Sequence, residues 1–344
     1  MISKKAWKGR WSILVDDCGE LKDSMRVLFV SSANKGISPI VLAQGRSMVE
    51  EGIDIVFFGV KGKGMFGYLR NAPILRREIS LRNPQVIHAH FSLCGFVTVL
   101  AAMGKKKTIV VSLMGSDVKG AGLLMGIIRC FTRYLWDATI VKSDDMHSSL
   151  RVDSAEIIPN GINLGVFNPL LRNDCRAQLG WDSGKHYILF GADPDRDVKN
   201  YPLARHAFEL LIEQNPTLTT ENCRLATLGS VPHHHVAIYL NACDSLLLTS
   251  KWEGSPNIVK EAMACNTPIV SVDVGDVRWL LNGLEGCYVT SHDPEDIASK
   301  IKQALDFRDK TKGRERLIEL GLDSESVARR IVNVYERLMK EREL

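Results

Sequence analysis

No stretch of this chain stays apolar long enough to cross a bilayer. The longest run, residues 96–103, is interrupted by Thr98 and falls far short of the ~20 residues a spanning helix needs. The eight cysteines include no C-x-x-C pair, and no secretory leader pattern is found. Together these absences predict a reduced, cytoplasmic setting without a membrane anchor. No residue stands out as an enzyme nucleophile. The run His233, His234 and His235 lacks a cysteine or acidic partner at zinc-ligand spacing and cannot all face one centre from a helix, so it reads as a surface cluster at a helix start. Asp193 and Asp195, spaced like a metal-binding pair of carboxylates, read as loop residues, and no metal or other cofactor is expected.

The chain has the bulk and rhythm of two α/β domains. Its 344 residues exceed the usual range of one core, and 45% hydrophobic with 24% charged residues is ordinary for a globular protein. Short apolar runs at 26–31, 54–59, 85–90, 108–113, 138–143 and 155–159 alternate with helical segments; a second series follows at 187–192, 224–229, 245–250, 268–273 and 286–290. Such alternation predicts parallel sheets with helices on both faces. The turn-rich segment 159–163 (PNGIN) marks the division, giving a first domain at 25–165 and a second at 166–322. Residues 323–344 carry Val327, Ile331, Val334, Tyr335 and Leu338 on one helical stripe, and residues 1–24 read as an appendage ahead of Met25. Charge is divided unevenly: residues 25–165 hold 17 Lys/Arg against 10 Asp/Glu, and residues 166–344 hold 22 against 26. The basic half suits an anionic partner, a phosphate-linked acceptor or a membrane surface; nucleic acid is not expected.

The most informative segment is 249–276, TSKWEGSPNIVKEAMACNTPIVSVDVGD. An apolar run of strand length leads into a turn and cap candidate at Gly254 and Ser255, a proline at 256, and an apolar helix. The amides of Asn257, Ile258 and Val259 would then sit in the first helical turn, where N–H groups lack internal partners and the helix dipole favours a phosphate. Glu253 before this helix and Glu261 about two turns along it could grip hydroxyl-bearing groups on either side of one diphosphate. A sugar nucleotide has that layout.

This stretch, with its surroundings from 231 to 277, resembles the Glu-x7-Glu signature of retaining glycosyltransferases of family 4. The resemblance implies the GT-B fold: two facing Rossmann-like domains with a cleft between them, and a C-terminal helix crossing back to the first. It implies that Glu253 approaches the donor sugar with Ser255, that Glu261 binds the ribose hydroxyls, and that the amides of Asn257, Ile258 and Val259 hold the diphosphate. Lys199 matches a cation that neutralises the diphosphate; the arginine usual directly after the glycine is replaced by Ala192, leaving Arg196 as a shifted candidate. His90, ending His88-Ala89-His90, matches a residue that reaches donor sugar and acceptor, with His88 its buried neighbour. Gly36 lies in a loop that faces the donor phosphate or acceptor in relatives. Asp117 matches an acceptor-side H-G-x-D segment in which Met114 replaces the histidine; a cap or turn role for Asp117 stands beside that.

The resemblance implies a metal-independent, retaining transfer of a sugar from a nucleotide diphosphate to a glycan, lipid-linked or small-molecule hydroxyl, in the cytoplasm or at the inner face of its membrane. A sugar-nucleotide epimerase or hydrolase on the same fold is the alternative enzyme. A non-catalytic sugar-nucleotide-binding subunit is the alternative of a different class.

Overall fold

The computed structural model describes residues 11–12, 24–119, 122, 124–229, 231–307 and 309–343. It comprises two units, Met1–Gly161 with Ser324–Leu344, and Ile162–Asp323. In the first, β1 (Trp11–Ser12), β2 (Arg26–Ser32), β3 (Asp54–Val60), β4 (Val86–His90), β5 (Thr108–Ser112), β6 (Ala138–Val141) and β7 (Glu156–Ile157) form a sheet in the order β1-β3-β2-β4-β5-β6-β7. Strands β2 to β7 are parallel. The sheet is not wholly parallel as expected, because Trp11 and Ser12 pair antiparallel with Phe57 and Val56 at its edge. The remainder of the 1–24 appendage, Ser24 apart, lies outside the described residues. Every residue of β4 and β5 is buried, the condition of central strands covered on both faces.

The second unit holds β8 (His186–Phe190), β9 (Cys223–Thr227), β10 (Ser245–Leu248), β11 (Ile269–Val272) and β12 (Cys287–Thr290) in the parallel order β12-β11-β10-β8-β9. From β8 the chain runs outward to β9 and then crosses back to place β10 on the opposite side of β8. The strand order therefore reverses between β8 and β10, and the loops leaving their carboxyl ends stand at the switch point where open α/β sheets bind ligands. Those two loops carry Lys199 and Glu253.

The helix Ser324–Glu343 returns to the first unit. Val327, Ala328, Ile331, Val334, Tyr335 and Leu338 form its buried stripe and pack on a core that includes Val27, Phe29, Val110 and Ile140. Each large apolar side chain buried in this way stabilises by about 1.5–3 kcal/mol. Where the chain enters and leaves the second unit, the two segments run side by side: the Ile162 amide donates to the Leu322 carbonyl at 2.9 Å, and Ile162 bridges Asp323. Among the described residues, no helix is long and apolar enough to cross a membrane.

Candidate functional site

The switch point of the second unit is assembled by hydrogen bonds between the loop after β8 and the loop after β10. Thr249, just past β10, donates from its hydroxyl to the carbonyls of Lys199 (3.2 Å) and Asn200 (3.1 Å), and the Lys251 amide donates to the Val198 carbonyl at 2.9 Å. These bonds join the loop after β8 to the loop after β10. Asn200 takes a left-handed conformation (φ 55°), which asparagine tolerates; it ends the short 3-10 turn Asp197–Lys199 and starts the helix Tyr201–Gln214. Lys199 is thereby aimed at Glu253, whose Oε1 accepts from the ammonium at 2.5 Å and from the Ser250 hydroxyl at 2.7 Å. With side chains only 11% and 16% exposed, Lys199 and Glu253 are far less screened than a surface ion pair. Arg196, the shifted cation candidate, is exposed at the start of the same turn.

From the other side the Glu253 loop rests on Gly275. Its φ is +60°, and a Cβ there would lie 2.6 Å from the Gly254 carbonyl oxygen and 3.2 Å from that of Glu253. Gly275→Ala therefore combines backbone strain with a backbone clash, and we expect it to destabilise the protein by more than ~1 kcal/mol. A thermal melt read together with turnover checks this: both should fall, and an unchanged melt would contradict the packing described.

The helix Asn257–Ala264 begins differently from the sequence reading. Its N-cap is Pro256, not Ser255, and the Ser255 hydroxyl instead accepts from Lys260 Nζ at 2.9 Å. The Val259 amide is not free, since it donates to the Pro256 carbonyl at 3.2 Å. Asn257 and Ile258 are the first two residues of the helix, at its positive dipole end. Ile258 packs over Gly191 at the end of β8, where a Cβ would come within 3.0 Å of it. The helix start is thus seated on the switch point. Lys260 is fully buried beneath, and burial draws its pKa down to about 8, against the opposing pull of Asp276 and Glu261.

Glu261 is also buried, and His233 Nε2 lies 2.9 Å from its Oε1. That hydrogen bond raises the His233 pKa. The histidine triplet is therefore not simply a surface cluster: it forms a 3-10 turn ahead of the helix Val236–Ala242, and its first member reaches the second glutamate. Asp193 Oδ1 accepts from the Asp195 amide at 3.0 Å, a local turn. Among the described residues, no three His, Cys, Asp or Glu side chains converge as metal ligands.

In the first unit His88 and His90, two apart on β4, share a face, and their rings stack with centroids 4.3 Å apart. His88 is fully bonded, Nδ1 to the Tyr335 hydroxyl at 2.5 Å and Nε2 to the Ser112 hydroxyl at 2.9 Å. His90 is equally buried, yet neither of its ring nitrogens has a hydrogen-bond partner. Burial first, then the charge of Lys142, brings its pKa down to about 3. Next in the chain, Phe91 adopts φ 95°, a region costly for a bulky residue, at the carboxyl end of the strand. His90 is thus an unpartnered buried polar ring, packed between Phe29 and His88 and followed by a strained residue at the strand end.

Asp117 is 3% exposed; its Oδ1 accepts from the Ser92 amide at 2.9 Å and its Oδ2 from the Met114 amide at 2.6 Å. It thus caps the helix Ser92–Ala102 and ties the loop after β5 to it, so both carboxylate oxygens are engaged by backbone. Burial pushes its pKa up to about 6. Gly36 is exposed at φ +87° with open space around it, so glycine there serves the backbone turn.

These groups set a pH dependence. His88 and His90 stay neutral in the native state, so below about pH 6.5 the unfolded chain binds protons that the native chain refuses, and stability falls by up to ~1.4 kcal/mol per pH unit for each. Asp117 acts oppositely between about 6 and its ordinary value, offsetting one of the two. Denaturant titrations should show net loss of stability as pH falls from 6.5 toward 5, and His90→Phe should flatten it. A wild-type profile that is flat there would contradict the neutral pair.

Residues 189–306 match the family model described as Glycosyl transferases group 1. A Bacillus subtilis (strain 168) protein assigned to teichuronic acid biosynthesis as glycosyltransferase TuaC is 26% identical over 235 residues, covering 63% of this chain and 60% of that protein. The chain spans 44–62% of the length of the first curated relatives it matches. Among solved structures, sucrose-phosphate synthase from Thermosynechococcus elongatus superposes with a TM-score of 0.76 at 16% identity, covering 92% of this chain and 100% of that one. Anabaena Alr3699/HepE in complex with UDP and glucose gives 0.71 at 16% identity, covering 91% and 100%. At these identities the two likenesses establish a common fold.

Proposed function

We propose that this chain, which has the GT-B fold and matches glycosyl transferases group 1 over residues 189–306, moves a sugar, with retention and without a metal, from a nucleotide-diphosphate donor to a hydroxyl on a glycan, lipid-linked or small-molecule acceptor. The observation that carries this reading is the Lys199–Glu253 pair at the β8/β10 switch point, directly ahead of a helix N-terminus and followed by buried Glu261. The helix start and Lys199 supply the positive field for a diphosphate, which gains charge as the bond from the sugar's anomeric carbon to phosphate oxygen breaks. Glu261, oriented by His233, accepts from ribose hydroxyls, and Glu253 and Ser255 meet the sugar. The acceptor oxygen bonds to the anomeric carbon on the face the phosphate leaves, and its proton passes to the departing phosphate oxygen. No enzyme nucleophile is required, and positioning with electrostatics supplies the catalysis. His90, neutral and unpartnered, is the first unit's candidate for contact with a substrate hydroxyl. UDP and glucose bound to the HepE neighbour support a nucleotide-sugar donor.

A thermal-shift panel of nucleotide diphosphate sugars tests the reading. A ligand at a hundredfold excess over its dissociation constant stabilises by about 2.7 kcal/mol, enough to move the melt by several degrees. At least one nucleotide sugar should do so; no shift from any of them would overturn the proposal.

A further inference from the structure

The positive excess of the first half is concentrated on one stretch of surface. Between Asp54 and Asp117 the chain contains nine Lys/Arg and a single carboxylate, Glu78. Glu78 is buried and paired with Arg82 at 3.6 Å, while Asp117 is buried under backbone amides, so the exposed surface of this stretch carries no counter-charge. Apolar side chains stand out among its cations. Phe66 is 84% exposed, Ile74 57%, Leu81 62% and Met103 62%.

Helical spacing and hydrogen bonds make these one patch. On the helix Ala72–Arg82, Leu75 and Ile79 face the core, while Ile74, Arg77 and Leu81 recur at three- and four-residue steps on the outer face. Arg76 donates to the carbonyls of Ala101 and Met103, and Lys105 Nζ donates to the Ser80 hydroxyl, which fastens the turn after the helix Ser92–Ala102 to the same side. At the other end, Lys61, Lys63, Phe66, Arg70 and Ile74 line one open groove of about 950 Å³.

We propose that this face of the first unit docks on an anionic phospholipid surface, with Phe66, Ile74 and Leu81 entering the boundary of the acyl chains and Lys63, Arg70 and Arg77 meeting lipid phosphates. Aliphatic side chains interleaved with cations suit a bilayer interface, where apolar burial and charge attraction act together. A nucleic-acid surface would reward the cations but not Ile74 or Leu81. The inference goes beyond the proposed sugar transfer and is independent of it, because vesicle binding requires no donor.

The test is co-sedimentation of the full chain with vesicles of phosphatidylcholine containing one third phosphatidylglycerol, against pure phosphatidylcholine, at low and high salt. Binding should need the anionic lipid and fall steeply with salt, since exposed charges are screened beyond about 8–10 Å at physiological ionic strength. The triple substitution Lys63→Gln, Arg70→Gln, Arg77→Gln should weaken it by roughly a hundredfold, about fivefold per cation. Phe66→Ser with Ile74→Ser should weaken it at every salt concentration; all five positions are exposed, and circular dichroism confirms the fold of each variant. No sedimentation of the wild type at low salt would overturn the proposal. So would binding to poly(U) as tight as to vesicles and indifferent to Phe66 and Ile74, the pattern of a nucleic-acid surface.

Discussion

Lys199→Ala should lower turnover by about 10²–10³-fold, the effect of removing one group aimed at the charge that develops in a transition state. The geometry makes the expectation more specific than a lost cation. Lys199 and Glu253 share a hydrogen bond in a poorly screened pocket, so removing either leaves the other uncompensated. Glu253→Ala should therefore also fall mainly in turnover, and the double substitution should cost no more than the worse single change, as partners acting as a unit do. Steady-state kinetics of the three variants decide this: strictly additive losses would mean that the pair does not act together. Added magnesium should not rescue Lys199→Ala. Loss of wild-type activity in chelator, with recovery in manganese, would instead return Asp193 and Asp195 to consideration as metal ligands.

Glu261→Ala should weaken donor binding by about ten- to a hundredfold, the loss of hydrogen bonds to a charged acceptor, with a much smaller effect on turnover of the saturated enzyme. His233→Ala should move donor affinity in the same direction and less far, because it removes the group that orients the carboxylate rather than the carboxylate. The pair also carries a pH signature. The His233 pKa is raised in the folded chain, so its stabilising contribution is fully present below its ordinary value of about 6.5 and is lost as pH rises through the raised value. Titration calorimetry with the nucleotide diphosphate separates these cases; wild-type affinity in Glu261→Ala would remove that residue from the donor site.

How much of this was written in the sequence depends on the range of each interaction. Strands β2 to β12 were legible because each is a short apolar run closed by turn residues, whereas the two-residue edge strand β1 was not, and β10 with the segment after it carried the fold and the two glutamates together. The stripe on the helix Ser324–Glu343 was legible for the same local reason: its period is that of the helix. Contacts between distant segments were not. His233 lies 28 residues from Glu261, and nothing in three consecutive histidines tells which will turn inward. The Tyr335 hydroxyl lies 247 residues from His88, and a tyrosine on an apolar stripe reads as core until its partner is known. Nothing in the sequence singled out Lys260 for a role, and only folding shows it fully buried, with its ammonium on Ser255. The cap was misread for a finer reason, since Ser255 and Pro256 are both compatible with a helix start and one residue of register decides which hydroxyl or amide is left over.

The central claim is that the second unit holds a nucleotide diphosphate sugar whose sugar passes to a hydroxyl. The most direct measurement is release of nucleoside diphosphate from the donor that gives the thermal shift, with and without a panel of hydroxyl acceptors, and with the product's anomeric configuration read by NMR. The predicted result is release that depends on one acceptor class, is abolished in Glu253→Ala, and leaves the anomeric configuration of the donor unchanged. Release equally fast without any acceptor, an inverted product, or an epimerised donor with no diphosphate released would contradict it.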